Sequence, residues 1–408
     1  MKMLNPFLRG FFKKKKIQSS SLSYSLLIIT VIGVFLFTLI MVVSFSNRIF
    51  SKLEIENELI DRAESTLNYV LSNYNMFDKH DKKINIKGIG HSLVRKNKWG
   101  ALKMLQYQVV FKNDTIKETL FIEDTLRDSI SLVLVKNNKH FFLGGKCSIE
   151  GDIKVPNEEI KELNLSGYTN RLTHRGSVGK ALNKLPIINN FYLDDDVINL
   201  DEEKAYEESY NSFFNKPKKI IFTSKKGISG LGLSGNYILE SQQEIFIKKN
   251  NKLNDVIIKS PIVRIEEGFK GVIQVLATKK VVIEKNVILK YPSVIYVSGK
   301  KNEVEIKVGE NSEIIGLVVA ISNNYKENKV LISKNSIIAG SLYCSGEVEF
   351  KGEMYGTIYA HEFYLNTGES EYQNALLNFN LYLLPEFFQK ISIIDSGDNV
   401  CKIIKRQK

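Results

Sequence analysis

Side chains capable of catalysis or metal binding are scattered along this chain. Its histidines stand alone, without the short spacings that zinc ligands need: His80, His91, His140, His174 and His361. The three cysteines, Cys147, Cys344 and Cys401, are far apart and odd in number, so they predict neither a disulfide framework nor a zinc motif. One disulfide between two of them stays an open alternative.

Carboxylates cluster in one run near position 200. Calcium takes carboxylate oxygens, but the spacing of this run matches no calcium-binding loop. We expect a solvated acidic stretch before a short helix near Glu203–Phe214. The run contains Asp194, Asp195, Asp196, Asp201, Glu202 and Glu203.

Hydrolysis of a polysaccharide requires paired carboxylates or a metal-assisted base on one face. Between residues 245 and 394 the only aspartate is Asp255, in a predicted turn. The glutamates there stand beside lysines and predict a solvated face of mixed charge; they include Glu266, Glu267, Glu284 and Glu305. The glycines of Lys226–Gly232 lack the Lys-Ser/Thr of a phosphate loop. We therefore expect no enzyme, catalytic residue, metal or cofactor.

The element that positions the rest of the chain is an uncharged run at 17–46. As a helix it would span about 45 Å, more than the ~30 Å hydrocarbon core of a bilayer. The run predicts a transmembrane helix, with Leu26, Ile29, Gly33, Phe37, Ile40 and Val43 in the membrane. A cleaved signal peptide is the rival, but Ser44–Asn47 is a poor cleavage site.

Charge bias predicts the orientation of this helix. Six basic residues precede it, and Arg48, Lys52 and Arg62 follow. This favours a cytoplasmic N-terminus in the inner membrane and a C-terminal domain that is periplasmic or extracellular. Because the basic tip at 1–16 carries half of the net charge of +12, we expect no nucleic-acid partner.

The next segment, 47–80, has apolar residues at helical spacing and predicts an amphipathic stalk helix. Its packing positions are Leu53, Ile60, Ala63, Leu67 and Val70. Two interpretations stay open. The helix either folds onto the soluble domain or packs against copies of itself or other helical subunits.

The order of basic tip, apolar helix, amphipathic helix and β domain resembles type IV pilins and pseudopilins. The segments SSSLSYSLLIITVIGVFLFTLIMVVSFSNRIF and EIENELIDRAESTLNYVL are similar to the N-terminal helix of minor pilins of the PilX type. The resemblance implies that the helix packs in a filament or secretion assembly. Gly10-Phe11 is similar to a prepilin junction, but no Glu occurs from Ile17 to Leu53, so processing of the N-terminus stays open.

The remainder of the chain reads as β structure. Alternating runs between His91 and Val155 predict antiparallel strands. Alternatively, the last of these runs, Cys147–Val155, forms a further coil of the β-helix that the later sequence predicts. From 245 to 365, short apolar runs recur with Asn or Gly three residues later, at Asn250, Gly268, Asn286, Gly309 and Asn335. This repeat predicts a parallel β-helix with left-handed corners. Its predicted core is Ile265, Ile283, Ile306, Ile332 and Phe350.

These repeats resemble bactofilin-type polymer-forming proteins at the level of pattern. An antiparallel sandwich is the alternative fold. The apolar segment Ala375–Ile394 is predicted to cap the open end of the β-helix. We divide the chain into a basic tip at 1–16, a transmembrane helix at 17–46, a stalk at 47–80, a β-rich domain at 81–218, a β-helix at 219–370 and a cap and tail at 371–408.

The predicted fold class is mainly β, with a long N-terminal helix. The leading functional hypothesis is a membrane-anchored, pseudopilin-like or minor-pilin-like structural subunit of an oligomeric assembly. The alternatives are a periplasmic tethered scaffold or adhesion protein and, third, a polysaccharide-binding or polysaccharide-cleaving β-helix.

Overall fold

A computed structural model of the protein describes residues 6–77, 82–86, 90–124, 129–188, 191, 193, 196–206, 209–223, 226–299, 303–391 and 401–407. The chain forms two compact units. Unit 1 holds residues 1–66, 85–91 and 109–116. Unit 2 holds residues 67–84, 92–108 and 117–408.

The helix α1 runs from Pro6 to Ser72. Its 67 residues extend for about 100 Å. The apolar and amphipathic segments thus form one helix, as predicted, because no glycine or proline interrupts the backbone hydrogen bonds after Val34. The helix begins earlier than the uncharged run, at a proline that fits a first turn, where its missing N–H is not needed.

The described residues contain thirty strands. The first are β1 Lys82–Ile86, β2 Gly90–Trp99, β3 Leu102–Phe111, β4 Asp114–Asp124, β5 Ile130–Leu134, β6 Phe141–Gly144, β7 Lys146–Glu150, β8 Asp152–Val155, β9 Ile160–Glu162, β10 Arg171–Arg175 and β11 Val178–Lys180. Then come β12 Ile198–Leu200, β13 Tyr210–Asn211, β14 Lys218–Phe222, β15 Lys226–Ile228, β16 Gly232–Gly235, β17 Tyr237–Ser241, β18 Glu244–Ile247, β19 Lys252–Ile265, β20 Lys270–Ile283 and β21 Ile288–Gly299.

The last strands are β22 Val304–Val308, β23 Glu313–Ser322, β24 Asn328–Ile332, β25 Ile337–Phe350, β26 Glu353–Asn366, β27 Glu371–Gln373, β28 Ala375–Leu377, β29 Asn380–Tyr382 and β30 Cys401–Gln407. Short 3-10 helices lie at Tyr74–Met76, Pro156–Glu158, Glu203–Tyr206 and Tyr325–Glu327. Near Glu203–Phe214 the described chain therefore forms one 3-10 turn and a two-residue strand in place of the predicted helix.

Five strands form a separate sheet in the order β1-β2-β3-β4-β30. The C-terminal strand β30 lies antiparallel to β4, with Ile403 opposite Ile122. The prediction of antiparallel strands as far as Val155 is wrong from β5 onward. There β5 pairs in parallel with β26 and β7 with β29, which are distant in sequence, and β8 pairs in parallel with β5 and β11. Cys147–Val155 therefore lies in further coils of the solenoid, which was the alternative prediction.

The parallel strands build a β-solenoid of about 11 turns, which confirms the predicted β-helix. Each complete turn crosses three faces, which we name by their buried columns. Face 1 carries Ile247, Ile265, Ile283, Val308 and Ile332. Face 2 carries Leu289, Ile314, Ile338, Met354 and Leu381. Face 3 carries Ile258, Val275, Ile295, Val318 and Leu342.

All five predicted core residues lie in the solenoid core and are buried. The register differs in one detail, since Val308 rather than Ile306 stands opposite Ile283. Both side chains point inward because they are two residues apart on one strand. A pattern of alternating residues alone does not distinguish these two registers.

Corner residues follow the predicted rule in part. Gly268, Asn286 and Asn335 have positive φ, as expected for left-handed corners. Asn250 does not, and at the fourth corner Asn311 has positive φ in place of Gly309. Gly309 is required for space instead, because a Cβ there would lie 2.7 Å from the carbonyl carbon of Glu284.

The turns do not stack in chain order. On face 2, β29 stacks on β26 and β7 stacks on β29. On face 3, β5 stacks on β26 and β8 stacks on β5. Residues 130–182 therefore extend the end of the solenoid that the chain reaches near residue 382. Within the predicted cap, β28 pairs with β6, and β29 pairs on both sides, with β26 and with β7, so the prediction that this segment caps an open end is wrong. Leu376 and Leu381 are apolar because they continue the core.

Candidate functional site

The apolar half of α1 exposes its side chains. Leu26, Ile29, Phe37, Ile40 and Val43 are all exposed, and the described part of the helix from Ser21 is long and apolar enough to cross a membrane. Nothing lies within 4 Å of the Cβ position of Gly33. The hydroxyl of Thr30 donates to the Leu26 carbonyl oxygen, 2.9 Å away, so this polar group is satisfied within the helix.

The predicted stalk positions separate into two groups. Ala63, Leu67 and Val70 are buried. Leu53 and Ile60 are 48% and 42% exposed. Within unit 1, the Arg62 guanidinium lies 4.1 Å from the centre of the Phe111 ring and also pairs with Glu58.

The outer side of face 1 carries mixed charge, as predicted, and its charged side chains form ion pairs within and between turns. Glu305 lies 2.5 Å from Lys280 on one turn and 2.9 Å from Lys307 on its own strand. Burial raises the pKa of Glu305, but the hydrogen bonds from the two lysines outweigh it and hold that pKa below its usual value. On face 3, Glu240 has a similar arrangement, with Lys259 and Lys219 on the two neighbouring turns.

The outer side of face 3 is covered by other parts of unit 2. Trp99 donates its indole N–H to the Asp255 carbonyl oxygen, and the Tyr343 hydroxyl donates to the Pro186 carbonyl oxygen. Asp255 is buried, and its carboxylate accepts from Lys405 Nζ at 2.6 Å and from the Gln407 side chain at 2.8 Å. This aspartate therefore fastens the C-terminal strand to the solenoid.

A polar cleft of about 1090 Å³ opens at the corner between faces 1 and 2. Its floor is a stack of corners that includes Asn335, Gly352 and Asn378. One wall is the hairpin β26–β27, in which Leu365 pairs with Tyr372. The other wall is the loop between β9 and β10, which presents Tyr168.

Hydrogen bonds fix both walls of the cleft. In the loop, Asn170 donates to Asn164 and accepts from the backbone N–H of Gly145, 2.8 Å away. At the hairpin tip, the Thr367 hydroxyl donates to the Ser370 carbonyl oxygen and accepts from the Ser370 N–H. These hydrogen bonds give both walls of the cleft a defined conformation.

The described histidines and cysteines do not converge on a site. His174 bonds the Gly151 carbonyl oxygen, and His361 stacks on Tyr325; His80 lies outside the described residues. All three cysteines are buried and unpaired, and burial raises the pKa of the Cys344 thiol to about 12. Among the described residues no three His, Cys, Asp or Glu side chains are placed to hold a metal ion.

The acidic run does not form one site in the described chain. Asp196 pairs with Lys216 at 2.8 Å, while Asp194 and Asp195 lie outside the described residues. The cleft was not predicted from the sequence, because its walls come from segments about 200 residues apart.

Comparison with known proteins gives no relative for this chain. No protein-family model matches the sequence, no curated protein matches it, and no solved structure matches the fold.

Proposed function

We propose that this protein is a membrane-anchored structural subunit. In this proposal α1 crosses the inner membrane with its N-terminus in the cytoplasm. Unit 2 then lies outside the cytoplasm, and the stalk helix packs against helices of other subunits in a pilin-like or pseudopilin-like assembly.

The observation that carries the proposal is the unburied apolar surface of α1. From Leu22 to Phe50 nearly every Leu, Ile, Val and Phe side chain is exposed in the described chain. Exposed apolar surface of this extent is unfavourable in water by about 25 cal/mol per Å² and calls for lipid or other helices as its surroundings. The basic residues before this apolar segment favour a cytoplasmic location for the N-terminus of the helix.

The stalk supports packing against further subunits. Residues on a helix advance by about 100° each, so Leu53 and Ile60 lie within about 20° of the same direction. Both are exposed, whereas Ala63, Leu67 and Val70, which come later in the stalk, are buried. An exposed pair on one helix face is what an intersubunit contact requires.

Topology is tested with a reporter fused after Lys408 in bacterial cells, combined with protease digestion of spheroplasts. We expect the reporter to be active only outside the cytoplasm and unit 2 to be digested from that side. A freely secreted protein would show cleavage after the helix instead, and a cytoplasmic reporter would contradict the proposal.

Packing of the stalk is tested by disulfide cross-linking of Leu53→Cys and Ile60→Cys in native membranes. The matched control is Ser51→Cys, because Ser51 is exposed and about 200° away around the helix from Leu53. The native thiols are buried and give little background. Cross-links at 53 and 60 but not 51 support an assembly. Equal absence at all three positions favours the alternative, a tethered periplasmic scaffold or adhesion protein that does not use its stalk for packing.

A further inference from the structure

We propose that the cleft between faces 1 and 2 binds a strand of uncharged polysaccharide. This binding role goes beyond the structural role proposed above and does not depend on it. The argument rests on the charge, the polar groups, the aromatic rings and the length of the cleft.

The charges lining the cleft are balanced. Its lining holds two lysines, Lys334 and Lys351, and two glutamates, Glu353 and Glu369. Lys351 is already paired with Glu349 at 2.6 Å. A polyanion or a phosphate would meet no excess of positive charge here, and recognition of either normally relies on clustered Arg or Lys.

Asparagine is the most frequent residue in the lining of the cleft, at positions 164, 335, 366, 378 and 380. Each amide offers both a donor and an acceptor, which suits sugar hydroxyls that also donate and accept. The side chains of Asn335 and Asn380 line the cleft and have no hydrogen-bond partner within the described parts of the chain. They are therefore available to a ligand.

Each wall contributes one tyrosine. Tyr168 is 48% exposed on the loop, and Tyr372 is partly exposed on the hairpin. A tyrosine ring offers an apolar face beside a polar hydroxyl. The C–H face of a pyranose ring packs on such a surface while its hydroxyls reach the amides.

The length of the cleft suits a chain rather than a single sugar. Between the corner at Asn335 and the loop at Asn164 lie four steps from turn to turn, which is about 19 Å at the ~4.8 Å spacing of paired strands. One step is close to the length of one pyranose residue. Successive sugars of an extended strand would thus meet successive corners.

The test measures binding of soluble glycans to the purified full-length protein in a detergent without sugar head groups. The probes are dextran, glucomannan, cellohexaose and chitohexaose as uncharged ligands, with alginate as the polyanion. Affinity electrophoresis and titration calorimetry report the dissociation constants. We expect at least one uncharged probe to bind, with little change between low and high salt.

Variants locate the binding site. Tyr168→Ala and Tyr372→Ala together should weaken binding by tenfold or more, whereas Tyr168→Phe, which keeps the ring, should not. The matched control is Tyr206→Ala, since Tyr206 is 49% exposed and does not line the cleft. Unchanged melting temperatures show that the variants fold.

Three results would overturn the proposal: no binding of any uncharged probe, binding that the cleft variants leave unchanged, or binding of alginate alone that salt abolishes. None of these outcomes bears on membrane topology or stalk cross-linking, so failure here is distinct from failure of the proposed structural role.

Discussion

Two regions of the solenoid share one core but differ in how the chain builds them. In the sequential turns, Lys252–Asn366, each turn is followed along the chain by the turn that stacks on it. In the composite turns, 130–182 with 375–382, stacking joins segments more than 200 residues apart, such as Ile358 and Leu132. The sequential turns are held by connectivity and pairing. In the composite turns, residues 375–382 still follow Asn366 along the chain, but residues 130–182 are attached to the sequential turns by pairing and side-chain packing.

The difference matters because the stability of a solenoid is approximately a sum of terms between neighbouring turns. A turn with neighbours on both sides is lost only when the stack breaks. The last composite turn, which contains β10 and β11, has a paired neighbour on one side in the described chain. We therefore expect the composite turns to open before the sequential ones.

The largest predicted effect comes from a glycine column at the corner between faces 2 and 3. Gly340 has φ +139°, and a Cβ there would lie 1.9 Å from the Gly316 carbonyl oxygen. Gly340→Ala must separate two paired turns and should cost about 4 kcal/mol or more. Gly176→Ala has a similar clash, 2.1 Å from the Gly151 carbonyl oxygen, but lies in the last composite turn.

Denaturant unfolding in detergent and hydrogen exchange measure the two glycine variants. We expect Gly340→Ala to lower the main unfolding midpoint and Gly176→Ala to remove protection from residues 160–182 alone. Gly230→Ala is the control, because its φ is +78° and nothing lies within 4 Å of its Cβ position. Equal losses at Gly340 and Gly176 would contradict the distinction between the two regions.

A smaller effect is expected from matched leucines on face 3. Leu342 and Leu132 are both fully buried, one in each region. Each Leu→Ala change should cost about 2–5 kcal/mol through lost burial and a cavity. Leu342→Ala should lower protection against hydrogen exchange throughout the sequential turns. Leu132→Ala should lower it in 130–182 while 252–366 stay protected, and loss of protection in both regions would mean that they unfold as one unit.

The sequential turns are the part of the fold that the sequence predicts. Three short runs with a similar sequence contain Gly316, Gly340 and Gly356. They recur because each turn meets the same corner, and all three glycines have positive φ. The run of apolar residues in α1 predicts a long apolar helix equally directly. Both signals are local, since one turn or one helix contains the whole pattern.

The composite turns and the cleft cannot be predicted from local sequence patterns in the same way. Cys147–Val155 shows alternation but nothing that names Leu381 as the partner of Ile149. The apolar run after Ala375 has the composition of a cap or of a core strand, and only the stacking decides between them. The cleft depends on this stacking. Tyr168 and Tyr372 approach one site only because the turns of residues 130–182 stack on the end of the solenoid that contains residues 375–382.

The smallest predicted effect is an acid sensitivity of the composite turns. Asp152 connects three successive turns: it accepts from the Ser129 hydroxyl at 2.5 Å and from the Ser177 N–H and hydroxyl at 2.8 and 2.6 Å. These hydrogen bonds, from Ser129 first and then Ser177, lower the pKa of Asp152 to about 2 from its usual 3.8. A lowered folded-state pKa means that the stabilisation is present above pH 3.8 and is lost as the pH falls through about 2.

Asp152→Asn removes the charge and so isolates this contribution. At pH 5 the variant should show less protection than wild type in residues 130–182, and at pH 2 the difference should be much smaller, because about half of the wild-type carboxyl is then protonated and most of the stabilisation by its charge is lost. Sequential turns serve as the internal reference, where Asp152→Asn should change nothing at either pH. A difference that persists unchanged at pH 2 would mean that Asp152 acts through packing rather than through its charge, and the composite turns would then differ from the sequential ones in connectivity alone.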